Sequence, residues 1–265
     1  MTDLSLAQDI LAVLSGGVVG FSLGLVGGGG SILAVPLLFY VVGMPSPHVA
    51  IGTSAVAVAA SALMSLGGHA RARTVKWPCA VSFAVAGILG AAGGAAIGKA
   101  FDGQRLLALF GVLMVVIGAL QLLPRRSGTN PDVRLHLGTA RTLLPALVAT
   151  GLVVGFASGF FGIGGGFLIV PGLVGATAMP VLNAIGSSLV SVAAFGTTTA
   201  ASYALSGYVD WWIAALFILG GLVGSLAGTR LARHLAGKGD TLKLIFATIV
   251  IIAGVYVSVR GFLTW

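Results

Sequence analysis

The sequence predicts an all-α polytopic membrane protein made of two inverted repeats, each with a re-entrant glycine-tipped helical hairpin plus three transmembrane helices. Three observations predict this class. The chain is 57% hydrophobic and only 8% charged, whereas soluble domains carry about 25% charged residues. Its apolar segments occur in two similar sets of five. In both sets a glycine-rich stretch precedes a segment that is too short to cross a bilayer.

The five apolar segments of the first half recur in order in the second half. The first set covers about Leu6–Val26, Ser31–Val42, Val49–Leu66, Trp77–Gly98 and Leu106–Leu123. The second set covers about Thr142–Phe161, Phe167–Ala178, Asn183–Leu205, Trp211–Leu231 and Leu242–Val259. We therefore expect a first repeat at 1–123, a polar cytoplasmic linker at 124–141 and a second repeat at 142–265.

The short second segment of each half determines the predicted topology. It has roughly 12 residues, or ~18 Å of helix, whereas a ~30 Å hydrocarbon core needs ~20 residues. Segments one and two therefore form either a hairpin or one kinked crossing. If both segments form hairpins, the 14 Lys and Arg residues divide 11 to 3 between the two sides of the membrane. If they form kinked crossings, the division is 8 to 6. Cytoplasmic loops are enriched in positive charge, which favours hairpins, inverted halves and both termini outside the cytoplasm.

Glycine-rich stretches mark the expected hairpin tips, at Gly27–Gly30 and at Gly162–Gly166. Such stretches break a helix, and irregular backbone in a membrane is tolerated only inside protein or beside a wet cavity. Each tip begins a short helix, and helix N-termini attract anions. Two opposed N-termini near the midplane of an inverted-repeat transporter would hold one small anion. The alternative is that the glycines only permit close helix packing.

Hydroxyl residues one turn into the third segment of each half are further candidates for binding the anion. They can donate hydrogen bonds to it, or they can bond back to a carbonyl of their own helix. His48 and Asn183 occupy matched positions at the mouths of these segments. The expected substrate-binding residues are Gly28, Gly29, Gly30, Ser31, Thr53, Ser54, Gly164, Gly165, Gly166, Asn183, Ser187 and Ser188.

The sequence gives no sign of an enzyme or of a resident cofactor. It contains no His-Glu-x-x-His zinc motif and no Gly-x-x-x-x-Gly-Lys-Ser/Thr phosphate loop. Its single cysteine, Cys79, excludes an internal disulfide and a metal site of thiolates. The net charge of +8 comes from residues that flank apolar segments, so the expected partners are the lipid bilayer and a small anion, and not nucleic acid.

The duplicated glycine motif, which ends in Val35-Pro36 and Val170-Pro171, resembles that of the TauE/SafE sulfite exporter family. Ala50–Ser54, Ala184–Ser188 and Val209-Asp210-Trp211 extend the resemblance over nearly the whole chain. It implies a multi-pass protein of the bacterial inner membrane that exports sulfite or organosulfonates. The open alternatives are a carrier or channel for sulfate, thiosulfate or a small carboxylate, and a non-transporting membrane assembly protein.

Overall fold

The computed structural model describes residues 6–26, 28–122, 137–162, 166–234 and 239–263, and the regular secondary structure in these residues is entirely helical. The first-half helices are α1 (Leu6–Val26), α2 (Ala34–Pro36), α3 (Pro47–Arg71), α4 (Trp77–Ala100) and α5 (Gly103–Leu122). The second-half helices are α6 (Leu137–Phe161), α7 (Gly166–Thr177), α8 (Val181–Ala204), α9 (Trp211–His234) and α10 (Gly239–Leu263). The predicted all-α class is confirmed, and each predicted apolar segment overlaps a helical one. The expected linker lies largely outside the described residues.

Seven helices in the described part of the chain are long and apolar enough to cross a membrane. They lie within α1, α3, α4, α5, α6, α8 and α9. Three shorter apolar helical stretches are Gly29–Val41, Gly166–Thr177 and Ala247–Leu263. The first two are the segments that the sequence predicts to be too short to span. The protein is therefore a multi-pass membrane protein.

The chain after α1 is less regular than the simple short helix that the sequence predicts. It forms a 3₁₀ helix over Gly28–Leu33, the single turn α2, and a π-helical turn over Leu37–Val41. Pro36 has no main-chain N–H to continue an α-helical ladder, and after it the Val42 N–H bonds the Leu37 carbonyl at 3.0 Å. The predicted short helix is thus found at the expected residues, but it consists of 3₁₀, α and π turns and not of one regular α-helix.

Glycines allow two pairs of helices to approach until their main chains touch. In the α4–α6 pair, a Cβ added at Gly94 would lie 2.7 Å from the Phe160 nitrogen, and one at Gly155 would lie 2.6 Å from the Gly87 Cα. In the α1–α9 pair, a Cβ at Gly20 would lie 2.6 Å from the Gly221 Cα. Small residues permit this close packing in membrane proteins. The high glycine content therefore has a packing role along these four helices.

The main helix contacts join one half of the chain to the other in matched pairs. Helix α1 packs on α9, and its counterpart α6 packs on α4. Helices α3 and α8 pack on each other, as do α5 and α10. The second-half segment α7 contacts the first-half 3₁₀ helix Gly28–Leu33. The buried core is therefore shared between the halves.

Contacts near the helix ends show which ends lie together. The Gln8 side chain donates to the Val42 carbonyl at 3.3 Å, and the Lys99 ammonium donates to the Ser202 carbonyl at 2.9 Å. A Cβ at Gly103 would lie 3.0 Å from the Pro47 Cβ. We call the end of the bundle with Pro47 and Lys99 the Lys99 end. The opposite end of α3 defines the Arg71 end.

We expect Gly94→Ala to destabilise the protein by about 1–3 kcal/mol, because the added methyl group would collide with the main chain of α6. Gly93 is the matched control, since it neighbours Gly94 and a Cβ there meets nothing within 4 Å. Gly93→Ala should be neutral or stabilising by up to about 1 kcal/mol, because alanine favours a helix over glycine. Thermal unfolding in detergent micelles measures both. Equal melting temperatures for the two variants would contradict the packing role.

Candidate functional site

The glycine turn of the second half lies against the third helix of the first half. Gly162 has φ +69°, a left-handed conformation that residues with a side chain rarely adopt. A Cβ added there would collide with the Ile51 side chain. The Ser54 Oγ lies 3.4 Å from the Gly162 carbonyl oxygen. Gly166 begins α7, whereas Gly164 and Gly165 lie outside the described residues.

The glycine stretch of the first half is buried among helices of both halves. Gly28, Gly29, Gly30 and Ser31 form the start of the 3₁₀ helix Gly28–Leu33. Gly29, Gly30 and Ser31 are buried, and this 3₁₀ helix contacts α1, α7 and α8. A Cβ at Gly30 would lie 2.6 Å from the Ser22 carbonyl carbon, so this glycine also serves close packing. The two glycine-containing segments are neighbours.

The second-half turn lies away from the middle of the helix bundle. Its contact residue, Ile51, is the fifth residue of the 25-residue helix α3. The middle residue of α3, Ala59, is about 12 Å farther along the helix at 1.5 Å per residue. The Gly162 turn therefore lies toward the Lys99 end of α3.

Two of the predicted hydroxyls connect the halves. The Asp210 N–H donates to Thr53 Oγ1 at 3.0 Å, and the Lys76 N–H donates to Ser187 Oγ at 2.9 Å. Both hydroxyl residues are fully buried. Each N–H belongs to the residue immediately before α9 or α4. Because these hydroxyls act as acceptors here, each keeps its own O–H to donate.

The other two predicted hydroxyls bond to their own helices. Ser54 Oγ donates to the Ile51 carbonyl at 2.8 Å, and Ser188 Oγ donates to the Ile185 carbonyl at 2.7 Å. This is the backbone-bonding alternative. Donation to an anion would require these two serines to give up those bonds. Thr53 and Ser187 are therefore better placed as donors.

The matched residues His48 and Asn183 have different surroundings. The Asn183 side-chain nitrogen donates to the Thr74 carbonyl at 2.9 Å. His48 lies among aromatic rings, with its ring centre 5.4 Å from that of Tyr208 and 6.3 Å from that of Tyr203. The sequence analysis missed Tyr203, which is fully buried with its hydroxyl unpartnered. The available signal was the one tyrosine in the predicted segment Asn183–Leu205.

The described residues contain no group of three or more His, Cys, Asp or Glu side chains that could hold a metal ion. The stretch Gly20-Phe21-Ser22-Leu23-Gly24 fits the Gly-x-Ser-x-Gly pattern of hydrolases. That nucleophile requires a sharp turn between a strand and a helix. Here the five residues lie within the continuous helix α1, so the pattern does not form a nucleophile elbow.

A multi-pass helical bundle with interrupted, glycine-rich segments buried between two halves is an architecture of membrane transporters. The family model of the sulfite exporter TauE/SafE matches residues 12–257. The chain belongs to this family, as its motifs predict, and it is a membrane transporter.

Several relatives share nearly the full length of the chain. A "Probable membrane transporter protein" of Xylella fastidiosa is 51% identical over 97% of this chain and 98% of that protein. The "Probable membrane transporter protein YunE" of Bacillus subtilis is 27% identical over 95% of this chain and 98% of its own length. A similarly named protein of Methanocaldococcus jannaschii is 23% identical over 93% of this chain and 94% of its own length. No solved structure matches the chain.

We expect Thr53→Val to destabilise the protein by about 1–3 kcal/mol, because the Asp210 N–H loses its hydrogen-bond partner inside the protein. The matched control is Ser61, whose hydroxyl donates to the Ala57 carbonyl of the same helix at 2.9 Å. That carbonyl is already part of the helix hydrogen-bond ladder, so Ser61→Ala should change stability by less than about 0.5 kcal/mol. Anion-free thermal unfolding measures both. A neutral Thr53→Val variant would contradict the bridging role.

Proposed function

We propose that this transporter exports a small sulfur oxyanion, sulfite or an organosulfonate, from the cytoplasm across the cell inner membrane without altering it chemically. The family description names sulfite export, and the relatives are named only as membrane transporters. Substrate and direction are therefore the proposed part. The donors available near the glycine segments are main-chain N–H groups and neutral hydroxyls, which suit oxygen atoms of an anion.

The observation that carries this proposal is the contact between the Gly162 turn of one half and Ile51 and Ser54 of the other. It supports a half-site composed of the second-half turn with Thr53 and Ser54. The first-half 3₁₀ helix contacts α8, which supports a matching half-site of that segment with Ser187 and Ser188. The contact of Gly162 with the fifth residue of α3 supports a half-site off the midplane. We therefore propose that the anion passes between two half-sites within the shared core.

We propose further that the halves are inverted repeats, each with a re-entrant hairpin. The Gln8–Val42 hydrogen bond supports a chain that returns to the end at which α1 begins. Glycine contacts run in the same order along α1 and α9, and along α4 and α6. Arg71, Arg73 and Lys76 lie at the Arg71 end, which the excess of basic residues marks as cytoplasmic. Both termini are then outside the cytoplasm.

Cysteine labelling in intact cells tests this orientation. We expect Leu6→Cys and Leu263→Cys, at positions 77% and 76% exposed, to react with a membrane-impermeant thiol reagent. Arg71→Cys and Arg230→Cys should react only after permeabilisation. The native thiol of Cys79 is fully buried, so the unaltered protein is the background control. Terminal cysteines that are protected in intact cells would contradict the proposed orientation.

The distribution of carboxylates bears on the energy source. Among the described residues, Asp9, Asp102, Asp210 and Asp240 all lie near helix ends or in links. An intramembrane carboxylate is the usual proton relay, and the described spans contain none near their middles. A potential that is negative inside supplies ~2.3 kcal/mol per charge per 100 mV to a departing anion. This corresponds to roughly a fiftyfold gradient, so we propose electrogenic uniport.

Sulfite efflux from proteoliposomes tests both the substrate and the energy source. With a clamped potassium potential and no proton or sodium gradient, efflux should increase as the interior becomes more negative. Gly29→Val should abolish it, because Gly29 is buried in the proposed half-site. Gly175→Val is the matched control, since a Cβ there meets nothing within 4 Å, and it should transport normally.

Three results would contradict parts of this proposal. Flux that ignores the potential but follows an imposed pH or sodium gradient would exclude uniport. If Gly29→Val keeps full activity, the first-half glycines serve helix packing and do not bind the anion. Competition by sulfate, thiosulfate or a small carboxylate that is stronger than competition by methanesulfonate would reassign the substrate.

A further inference from the structure

A second polar cluster lies at the Lys99 end, next to the Gly162 half-site: a Cβ added at Gly52 would lie 2.9 Å from the Tyr203 Cβ. It comprises His48 at the start of α3, Lys99 near the end of α4, Tyr203 near the end of α8, and Tyr208 in the link to α9. We call these four residues the His48 corner. The Lys99 ammonium lies 5.9 Å from the centre of the Tyr203 ring. The His48 corner thus brings a cation, an imidazole and two phenols together.

Two buried polar atoms in the His48 corner have no partner. The Tyr203 hydroxyl is one, and the residue is fully buried; the Nδ1 atom of His48 is the other. A neutral imidazole has one N–H donor and one acceptor nitrogen, so Nδ1 can accept a hydrogen bond when Nε2 carries the proton. Buried polar groups are normally hydrogen-bonded, which points to a missing ligand.

The matched corner at the Arg71 end shows that the unpartnered atoms are not a consequence of the fold. The repeat aligns Tyr203 with His69 and Tyr208 with Thr74. There, His69 Nδ1 lies 2.9 Å from Thr74 Oγ1, and Asn183 donates to the Thr74 carbonyl at 2.9 Å. In that corner His69 and Thr74 bond to each other, and Asn183 bonds the main chain of Thr74. The matched positions are therefore hydrogen-bonded at the Arg71 end, whereas two polar atoms at the Lys99 end have no partner.

Lys99 is the cation of the His48 corner. Lys99 donates to the Ser202 carbonyl and to Ser206 Oγ, both at 2.9 Å. The described residues provide no carboxylate partner for it within ion-pair distance. Asp102, in the link between α4 and α5, is the acidic group near His48, and it accepts the Arg105 N–H at 3.0 Å. His48 and Tyr208 are partly exposed, which gives a small solute access.

We propose that the His48 corner is a second anion-binding site, selective for a small oxyanion that carries one proton. The Tyr203 hydroxyl donates to an oxygen of the anion, His48 Nδ1 accepts its O–H, and Lys99 contributes positive charge. This proposal rests on the proposed function, because it takes the transported oxyanion as the ligand. In that function the corner holds the anion at the end of the bundle where export is completed.

Fluorine NMR of the full-length protein, labelled with 3-fluorotyrosine in detergent micelles, tests the site. The chain has only four tyrosines, and loss of one signal in Tyr203→Phe assigns its resonance. Sulfite near neutral pH, where much of it carries one proton, should shift the Tyr203 resonance saturably. Tyr40, whose hydroxyl is also buried and unpartnered, is the matched control and should not shift.

Two variants test the roles within the His48 corner. Glutamine removes the acceptor at Nδ1, so His48→Gln should weaken sulfite binding, measured at the Tyr203 resonance, about tenfold. Methanesulfonate has no O–H and should bind equally well to both proteins. If His48→Gln weakens the binding of both anions equally, or does not weaken sulfite binding, His48 is not the acceptor of the anion's proton. Tyr203→Phe should melt, without ligand, no lower than the unaltered protein.

A parallel thermal unfolding series separates this proposal from the proposed function. If sulfite raises the melting temperature saturably but the Tyr203 resonance does not move, the His48 corner is overturned and the transport proposal stands. If sulfite changes neither quantity, both proposals fail for this anion.

Discussion

The need to satisfy main-chain hydrogen bonds inside a membrane governs this fold. Without water, each break in a helix must find its partners within the protein. The N–H groups of Lys76 and Asp210, just before α4 and α9, find them in hydroxyls of the opposite half. After Pro36 the chain changes to π-helical bonding. Glycine crossings bring the halves close enough for these bonds, so the irregular segments and the close packing depend on each other.

The sequence was sufficient to predict the class, the segments and the family, because these depend on local composition and on duplicated motifs. The predicted bounds of the first segment, Leu6–Val26, agree with α1. The partners of the hydroxyls were not predictable, because Thr53 and Asp210 are 157 residues apart in the chain. Thr53 and Ser54 are neighbours in sequence, yet Thr53 bonds the opposite half and Ser54 bonds its own helix. This difference arises from tertiary packing, which the local sequence does not reveal. The 3₁₀ helix likewise depends on how Gly30 lies against α1.

The two halves have similar helices but carry different polar side chains at matched positions. Thr53 and Ser187 make equivalent bonds, so the positions that join the halves are preserved across the duplication. Other matched positions differ in charge or polarity, as Lys76 and Asp210 do. Asn183 bonds main chain, whereas His48 leaves a nitrogen unpaired. The two halves therefore share the hydroxyl bonds that join them, but they differ in the side chains at the two ends and in the main chain of the short segments.

This asymmetry bears on how each face would bind substrate. In a uniporter the net flux follows the electrochemical gradient whether or not the ends are alike, so unlike ends change binding at each face and not the direction of net flux. Here the Arg71 end has self-satisfied polar groups and an excess of basic residues, whereas the Lys99 end has unpaired donors and acceptors beside one lysine. An excess of positive charge raises the local concentration of anions, while directional hydrogen bonds select among them. The ends thus suit different steps: collection of anions at one face and selection at the other.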